Sequence, residues 1–304
     1  MAGPQLHLDR SFDGEPGQPV QIATGVIRIT APNAGPYTFH GTNTYLLGQD
    51  TITIVDPGPD DDRHLQALIS EVRGRTVEAI VITHTHIDHT ELLPKLLRHI
   101  DAPIIGCGVH KAARPLAEGE TNALDAAGDR SYAPDEQLRD DDGLHVEDIE
   151  WRTVETPGHT MNHICLFDPN SGTLVSGDHI MAWSTSIIAP PDGKMSAYMQ
   201  SLEKLLPLNI RECWPGHGGP VKDPSTFIRA LIEHRKGREQ AARRALEKGP
   251  QTIAEMVPSI YIGLDERLVG AARLSLFAQV EDLVERGKVT AEGPVKMDAI
   301  FRLT

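Results

Sequence analysis

The segment at residues 83–89, T-H-T-H-I-D-H, constrains this chain more than any other feature. It directly follows residues 77–82, an apolar run rich in β-branched side chains that predicts a buried strand. Three imidazoles and a carboxylate therefore crowd the carboxyl end of one strand. We expect a fold that carries a metal centre at the edge of a sheet.

Three further motifs repeat this arrangement at other strand ends. Each closes a short apolar stretch with a glycine and a ligand-type side chain: T-P-G-H ending at His159, S-G-D ending at Asp178, and W-P-G-H ending at His217. A lone histidine at a strand end would predict little, but four such motifs together predict a metal site. Imidazole and carboxylate without thiolate favour zinc, manganese or iron.

The spacing of these residues predicts two divalent ions. Two histidines two residues apart on an extended loop can point at one ion, while the Asp and His that follow, at a helix start, can turn to a second. The predicted ligands are, for the first ion, His84, His86 and His159, for the second, Asp88, His89 and His217, and, as a bridge between them, Asp178. Zn2+ is expected, with Mn2+ or Fe2+ as alternatives. A shared water of lowered pKa would attack, with Asp88 and Asp178 as catalytic residues.

The pattern H-x-H-x-D-H at residues 84–89, followed by His159, Asp178 and His217, resembles the metallo-β-lactamase superfamily of hydrolases. The resemblance covers about residues 20–225. It implies an α+β fold, an αββα sandwich of two facing sheets flanked by helices, with the dinuclear site at one edge. Similar sites hydrolyse thioesters, lactams, lactones and phosphodiesters, so the resemblance implies a metal-dependent hydrolase without naming its substrate.

Further motifs are similar to the β-lactamase-like protein 2 group of that superfamily. They are G-T-N-T-Y-L at 41–46, S-G-D-H-I-M at 176–181, S-T-S at 184–186 and H-R-x-x-R-E at 234–239. The group carries a C-terminal winged-helix-like extension, and residues 250–304 match its layout of two helices and a short hairpin. The predicted domains are a catalytic domain at residues 1–224 and a helical, winged-helix-like domain at 225–304.

Hydrophobic periodicity divides the chain into short elements. Strands are predicted at residues 20–30, 44–47 and 51–55 before the histidine segment, and at 144–146, 151–155, 163–167 and 173–176 after it. Helices are predicted at residues 64–72, 92–100, 225–248, 252–256 and 265–286.

The composition of the chain limits which partners and which cellular location are expected. The formal charge of −14 argues against a broad nucleic-acid groove, because phosphate binding needs a concentrated basic surface. The C-terminal helices lack a basic stripe, so no DNA binding is expected, and packing on the catalytic domain or a homodimer contact is favoured. No targeting segment or membrane span is visible. Cys107, Cys165 and Cys213 lie far apart, which predicts no disulfide and a cytoplasmic protein.

The sequence leaves the substrate open. The acidic chain disfavours long polyanions, which favours a small thioester or ester, such as a hydroxyacyl-glutathione-type compound. The resembled group has been linked to single-stranded RNA cleavage, so an RNA phosphodiesterase is also considered. Its candidate phosphate contacts are Arg235, Arg238, Arg243 and Arg244. A β-lactamase or lactonase is a third possible function, and a non-catalytic metal-binding scaffold is a fourth.

A turn-rich loop at residues 183–194 follows Asp178 and is the candidate substrate loop. His179, Ser184 and Thr185 are the candidate substrate-binding residues. His179 directly follows the bridging aspartate, where it could donate a proton to the leaving group or only shape the pocket wall. His163 is expected either to orient a ligand or to be structural.

Overall fold

The computed structural model describes residues 5–304 and shows two facing β-sheets covered by helices, followed by a small C-terminal domain. Residues 1–4, part of the segment in which no targeting signal is expected, lie outside the described residues. Between residues 5 and 304, no helix has the length and apolar character needed to cross a bilayer.

The first sheet is ordered as the chain runs. Its strands are Pro19–Ala23 (β1), Val26–Thr30 (β2), Asn43–Leu47 (β3), Thr51–Val55 (β4), Thr76–Ile82 (β5), Ile104–Gly106 (β6) and Glu136–Gln137 (β7). β1 to β4 pair antiparallel and β4 to β7 pair parallel. The prediction of one strand at residues 20–30 is wrong, because Gly25, with a φ of +68°, reverses the chain between β1 and β2.

The second sheet is formed by the strands that follow. They are Gly143–Val146 (β8), Ile149–Glu155 (β9), Ile164–Asp168 (β10), Thr173–Gly177 (β11) and Glu212–Pro215 (β12). β8 to β11 pair antiparallel, whereas β12 runs parallel to β11. The inner faces of the two sheets bury a shared core that includes Tyr45, Val81, Trp151, Leu166 and Val175.

Helices cover both outer faces, as the αββα expectation requires. Asp62–Glu71 (α1), Ile87–Thr90 (α2) and Leu93–Leu96 (α3) lie on the side of the first sheet. The helix predicted at residues 92–100 is therefore shorter, because residues 97–99 are exposed and do not continue its buried face. Met195–Leu205 (α4) and the first half of Pro224–Leu246 (α5) cover the second sheet.

The C-terminal domain has its own core. It contains Ile253–Ile260 (α6), Val269–Glu285 (α7) and the hairpin Val289–Ala291 (β13) with Phe301–Leu303 (β14). A 3-10 turn at Glu266–Leu268 replaces the start of the helix predicted from residue 265.

Helix α5 is shared between two cores. Ile228 and Leu231 pack against the second sheet, whereas Ala245 and Leu246 pack in the C-terminal domain. The predicted boundary at residue 225 stays a prediction, because one continuous helix carries the chain from one core into the other.

Candidate metal centre

The histidine segment lies at the edge of the sandwich where β5 ends. The last four residues of β5 are buried, and this anchors the loop that begins after Ile82. His84 and His86 lie on this loop, and the short helix α2 then presents Asp88 and His89. The structure thus has the extended pair followed by the helical pair that the sequence predicts.

The second sheet supplies the remaining predicted ligands at the same edge. β11 and β12 are parallel, and Gly177 at the end of β11 pairs with Pro215 at the end of β12. Asp178 and His217 therefore leave neighbouring strand ends, and His159 comes from the loop between β9 and β10. Ligand atoms within 4.8 Å of one another form three groups in residues 5–304: His84, His86, His159 and Asp178; Asp88, His89 and His217; and Asp56, His84 and His89.

In the first of these groups, three imidazole nitrogens converge. The Nδ1 atom of His86 lies 3.1 Å from His84 Nε2 and 3.0 Å from His159 Nε2. Two nitrogens that bind one zinc ion at about 2.0–2.1 Å are about 3 to 3.4 Å apart. Asp178 Oδ2 lies 3.5 Å from His159 Nε2 and 3.9 Å from His84 Nε2. The four donors fit one tetrahedral divalent ion.

The second group lies beside the first and shares Asp178 with it. His217 Nε2 is 3.3 Å from Asp88 Oδ2 and 3.3 Å from Asp178 Oδ2. His89 Nε2 is 3.7 Å from Asp88 Oδ2 and 3.6 Å from Asp178 Oδ1. The carboxylate of Asp178 therefore faces both groups, as expected of a bridge.

Two atoms of this centre are buried without a partner. His89 Nε2 and Asp178 Oδ1 have no hydrogen-bond partner among the described residues. Buried polar atoms without partners cost free energy, and a cation between them would remove that cost. The donor set thus fits divalent ions, and the assignment of each residue as a ligand stays a prediction.

Asp56, which the sequence analysis missed, controls the orientation of two predicted ligands. Its carboxylate accepts hydrogen bonds from Thr83 N at 2.8 Å and from Thr83 Oγ1 at 2.7 Å. Its Oδ2 atom also accepts from His89 Nδ1 at 2.9 Å. Because Thr83 Oγ1 donates its only proton to Asp56, it accepts from His84 Nδ1 at 3.1 Å. Both histidines therefore hold a proton on Nδ1 and turn Nε2 toward the centre.

Backbone carbonyls orient two more predicted ligands. His159 Nδ1 donates to the carbonyl oxygen of Ile187 at 2.6 Å, and His217 Nδ1 donates to that of Gly41 at 3.2 Å. Each ring therefore turns its Nε2 atom toward the centre. Gly41 belongs to the G-T-N-T-Y-L motif, so this motif also supports a ligand.

His163 holds the backbone of Asp178. Its Nε2 accepts a hydrogen bond from Asp178 N at 3.1 Å, so its Nδ1 carries the proton and donates to Thr156 Oγ1 at 2.8 Å. Gly177 makes this approach possible, since its φ is +46° and an added Cβ would lie 2.7 Å from His163 Nε2. Of the two roles left open by the sequence, the structure favours the one in which His163 orients a predicted ligand.

Burial keeps the histidines of the first group neutral. Burial, and after it the neighbouring imidazoles, hold the pKa of His84 well below its usual value. Burial lowers the pKa of His86 to about 3 and also lowers that of His159. Neutral imidazole is the form that binds a metal ion, so these three nitrogens are available at neutral pH.

In the second group, nearby carboxylates decide the pKa values of the two histidines. Burial opposes the charged form of His89, but Asp88, Asp56 and Asp178 outweigh it and raise its pKa to about 9. Burial is likewise outweighed at His217, where Asp178 raises the pKa well above its usual value. Burial also favours neutral Asp88 and Asp178, yet the two imidazolium charges hold the pKa of both low. A cation bound here must displace protons from both rings.

A cavity of about 220 Å³ opens over the two groups. Predicted ligands form its floor, and the remaining walls are almost entirely apolar: Tyr37, Thr38, Leu124, Ala127, Met181, Ile187 and Leu274. Leu274 lies on α7, so the C-terminal domain forms part of this wall. Within residues 5–304, no lysine or arginine lines the cavity.

None of the three candidate substrate-binding residues lines the cavity over the predicted ligands, and they lie in two different places. His179 is fully buried, and its ring packs against Tyr198 with centroids 4.9 Å apart, so it does not line the cavity over the ligands. A direct contact with substrate would require this ring to leave the core. Ser184 and Thr185 are half-buried and line a neighbouring cavity.

The arginines of α5 do not form a continuous exposed row. Arg235 is 3% exposed and donates to the carbonyl oxygen of Ser186. Arg238 donates to a carbonyl oxygen at the end of α6 at 2.6 Å, and its guanidinium lies 4.3 Å from the centre of the Tyr261 ring. These two side chains hold α5 to the segments packed around it.

Family models match two parts of this chain. Residues 37–217 match a model described as the metallo-beta-lactamase superfamily. The chain belongs to the metallo-β-lactamase superfamily. Residues 252–296 match a beta-lactamase associated winged helix domain, which confirms the predicted C-terminal module. The protein is therefore a hydrolase of this superfamily with a C-terminal winged helix.

Relatives of the metallo-β-lactamase superfamily align over most of the chain. A β-lactamase-like protein 2 homologue from Drosophila melanogaster is 30% identical over 88% of this chain and 91% of its own length, which confirms the resemblance to that group. A protein from Aspergillus terreus named atrochrysone carboxyl ACP thioesterase is 25% identical over 86% of this chain and 78% of its own. A β-lactamase domain protein from Burkholderia ambifaria has the same fold, with a TM-score of 0.78, 22% identity and coverage of 96% of both chains.

Proposed function

We propose that this protein is a dinuclear metal-dependent hydrolase of small thioesters or esters that carry an apolar acyl group. The apolar cavity over the predicted ligands carries the proposal. It offers an acyl group a place beside the centre and, within residues 5–304, offers no cationic side chain to a phosphodiester. A relative named as a thioesterase supports the same type of bond.

We infer two ions, Zn2+ before Mn2+ or Fe2+. Three imidazole nitrogens and one carboxylate are a donor set typical of zinc, and the second group adds two imidazoles and a carboxylate around the shared Asp178. When bound, such ions acidify a water molecule and polarise the scissile carbonyl.

The chain's own residues would orient the attack. Asp88 is more open to the cavity than Asp178, with side chains 25% and 8% exposed. Thr42 Oγ1 donates to Asp88 Oδ2 at 3.2 Å and holds that carboxylate beside His217. Asp88 is therefore placed to accept a proton from the attacking water. Hydrolysis breaks the acyl C–S or C–O bond, adds a hydroxyl group to the acyl carbon and returns a proton to the leaving thiol or alcohol.

A parallel assay on zinc- and manganese-loaded protein of measured metal content tests this proposal. The substrates are hexanoyl-N-acetylcysteamine, S-lactoylglutathione, a lactam, a lactone and a short single-stranded RNA. Thioester turnover that chelation abolishes and that Asp88→Asn lowers about 100-fold or more supports it. RNA cleavage without thioester turnover would establish a phosphodiesterase instead. Turnover of the lactam or lactone alone would establish a lactamase or lactonase, and no turnover by fully loaded protein would favour a non-catalytic scaffold.

The expectations about partners and location also stand as proposals. We propose a small-molecule substrate, with RNA as the alternative, and neither a DNA nor a membrane partner. A homodimer contact stays a prediction. For the location we propose the cytoplasm, a setting that suits three buried cysteines with free thiols: Cys107, Cys165 and Cys213.

A further inference from the structure

A second cavity, of about 280 Å³, adjoins the cavity over the metal centre. The two share Tyr37, Met181 and Ile187 in their walls. Helices α5 and α7 line the second cavity on one side, and an N-terminal segment lines it on another. A hydrogen bond from Asp9 N to the carbonyl oxygen of Ala182, at 2.9 Å, holds that segment in place. A molecule with its reacting bond at the metal centre can extend into this second cavity.

The charged side chains that line the second cavity are positive, although the whole chain is acidic. The chain has a formal charge of −14, yet no aspartate or glutamate within residues 5–304 lines this cavity. Arg10, Arg235 and Arg238 do line it, and Arg10 is exposed. A cavity lined by cations and free of carboxylates attracts an anionic group.

Several polar groups of this cavity are donors without an acceptor. Arg238 Nε donates to His234 Nε2 at 3.3 Å, so His234 carries its proton on Nδ1. Burial, together with Arg235 and Arg238, lowers the pKa of His234 to about 4, so the ring is a neutral donor. His234 Nδ1, Trp183 Nε1 and Arg235 Nε are buried and have no hydrogen-bond partner in the described part of the chain. These three atoms have no surface open to the cavity, so a ligand there would contact the more accessible side chains of Arg10 and Arg238 instead.

The rest of the wall suits a narrow arm better than a run of nucleotides. It is largely aliphatic, with Leu6, Leu8, Leu264, Leu268, Ala271 and Ala272. Bases of single-stranded RNA bind by stacking on aromatic faces. Here Arg238 covers the ring of Tyr261 and Trp183 stacks on Phe39 with centroids 4.8 Å apart, so among the described residues of this wall Tyr37, 48% exposed, is the one open aromatic ring, too few for a run of bases.

We propose that the second cavity is the leaving-group subsite, and that it binds a thiol or alcohol whose arm carries a phosphate or a carboxylate. The inference rests on the proposed function for its orientation, since the acyl group is assigned to the apolar cavity. Coenzyme A and glutathione are two common thiols of this chemistry, with a phosphate and a carboxylate arm respectively.

Calorimetric binding of inert probes to zinc-loaded protein tests the subsite. S-methyl coenzyme A carries the phosphate arm, S-methylglutathione carries the carboxylate arm, and S-methyl-N-acetylcysteamine carries neither. None has a scissile acyl bond or a free thiol. We expect at least one anionic probe to bind about tenfold more tightly than the neutral one. Arg238→Gln should weaken that probe about tenfold, and Arg10→Gln about threefold, because exposed charges are screened by solvent.

Arg243→Gln is the matched control. Arg243 is exposed on the same helix and does not line the cavity, so the variant removes an equal charge and should leave all three affinities unchanged. Arg238 also donates to a backbone oxygen of α6, so thermal unfolding is measured for each variant. Arg10 lies outside the helices, and Arg10→Gln keeps the test decisive if Arg238→Gln fails to fold.

Three results would overturn the subsite. They are equal affinity for all three probes, equal losses in Arg238→Gln and Arg243→Gln, and displacement of the anionic probe by a short RNA that itself binds more tightly. Turnover of hexanoyl-N-acetylcysteamine is scored separately. Its absence contradicts the proposed function, whereas probe binding that depends on Arg238 still supports an anion subsite.

Discussion

Replacement of Asp56 by asparagine tests how the predicted ligands are oriented, because the Asp56 carboxylate accepts three hydrogen bonds. An amide fits the same space but must turn its NH2 group toward a donor. If the amide oxygen stays on Thr83 N, the NH2 group faces Thr83 Oγ1 and His89 Nδ1. Thr83 Oγ1 then donates to His84 Nδ1. The protons of His84 and His89 are thereby shifted to Nε2, the atoms that face the predicted ions.

The size of the effect follows from the number of predicted ligands that lose their orientation. Loss of the hydrogen-bond partner behind a metal ligand commonly weakens metal binding about 10–100-fold. His84 belongs to the first group and His89 to the second, so we expect both ions to bind about 10–100-fold more weakly in Asp56→Asn. Mispaired buried donors should also lower the free energy of unfolding of the metal-free protein by roughly 1–3 kcal/mol.

Competition with a chelator of known affinity measures both metal-binding constants, and urea unfolding of the metal-free protein measures its stability. Asp50→Asn is the matched control, because Asp50 is an exposed carboxylate in the turn between β3 and β4. Unchanged metal affinity in Asp56→Asn would refute the reasoning. Weakening of one ion alone would refute the part of it that runs through Thr83 to His84.

Three other perturbations follow from the geometry of the centre. An added Cβ at Gly216 would lie 2.5 Å from Asp178 Oδ1 and 2.8 Å from His89 Cε1, so Gly216→Ala should lower the metal content of purified protein. Gly237→Ala, with open space around its Cβ, should retain it, and equal metal content in both would contradict the steric argument. Leu274→Trp should fill the apolar cavity and raise KM for hexanoyl thioesters more than for acetyl thioesters, by about tenfold; an equal rise for both would show that Leu274 does not limit acyl length. Because nearby carboxylates raise the pKa of His89 to about 9 and hold that of His217 well above its usual value, both rings carry an extra proton at neutral pH without a cation. Zinc titrations at about pH 7.5, in two buffers of different ionisation enthalpy, should therefore show about two protons released from these rings, and apparent affinity should fall as pH falls; identical heats in both buffers would contradict this.

The predicted ligands lie together in the structure because the sequence signals that point to them are local. Each predicted ligand lies on a loop or short helix that follows an apolar strand, and a glycine directly precedes His159, Asp178 and His217. The end of a buried strand fixes the position of the next residues, so motifs of this kind predict where side chains meet. The predicted superfamily, sandwich and winged helix also depend on such local motifs, and they are confirmed.

The missed features depend on contacts between distant parts of the chain. Asp56 contacts Thr83 and His89, which lie 27 and 33 residues further along, and its only local signal was a D-P-G turn after an apolar strand. Leu274 reaches the cavity only because α7 packs onto the catalytic domain. His179 looked accessible beside Asp178, but its ring turns into the core toward Tyr198. Periodicity does not carry such information.

Helix α5, which is shared by two cores, separates the residues predicted to carry the chemistry from those that line the two cavities. The predicted ligands depend on strand ends of the sandwich, whereas the positions of Leu274, Arg235 and Arg238 depend on how α7 packs against α5. Substitutions in the winged helix can therefore reshape both cavities and leave each predicted ligand in place. We therefore expect chains of this architecture to differ in substrate while they keep the same ligand motifs, and comparison of their α7 sequences should separate substrate classes that the histidine motifs cannot distinguish.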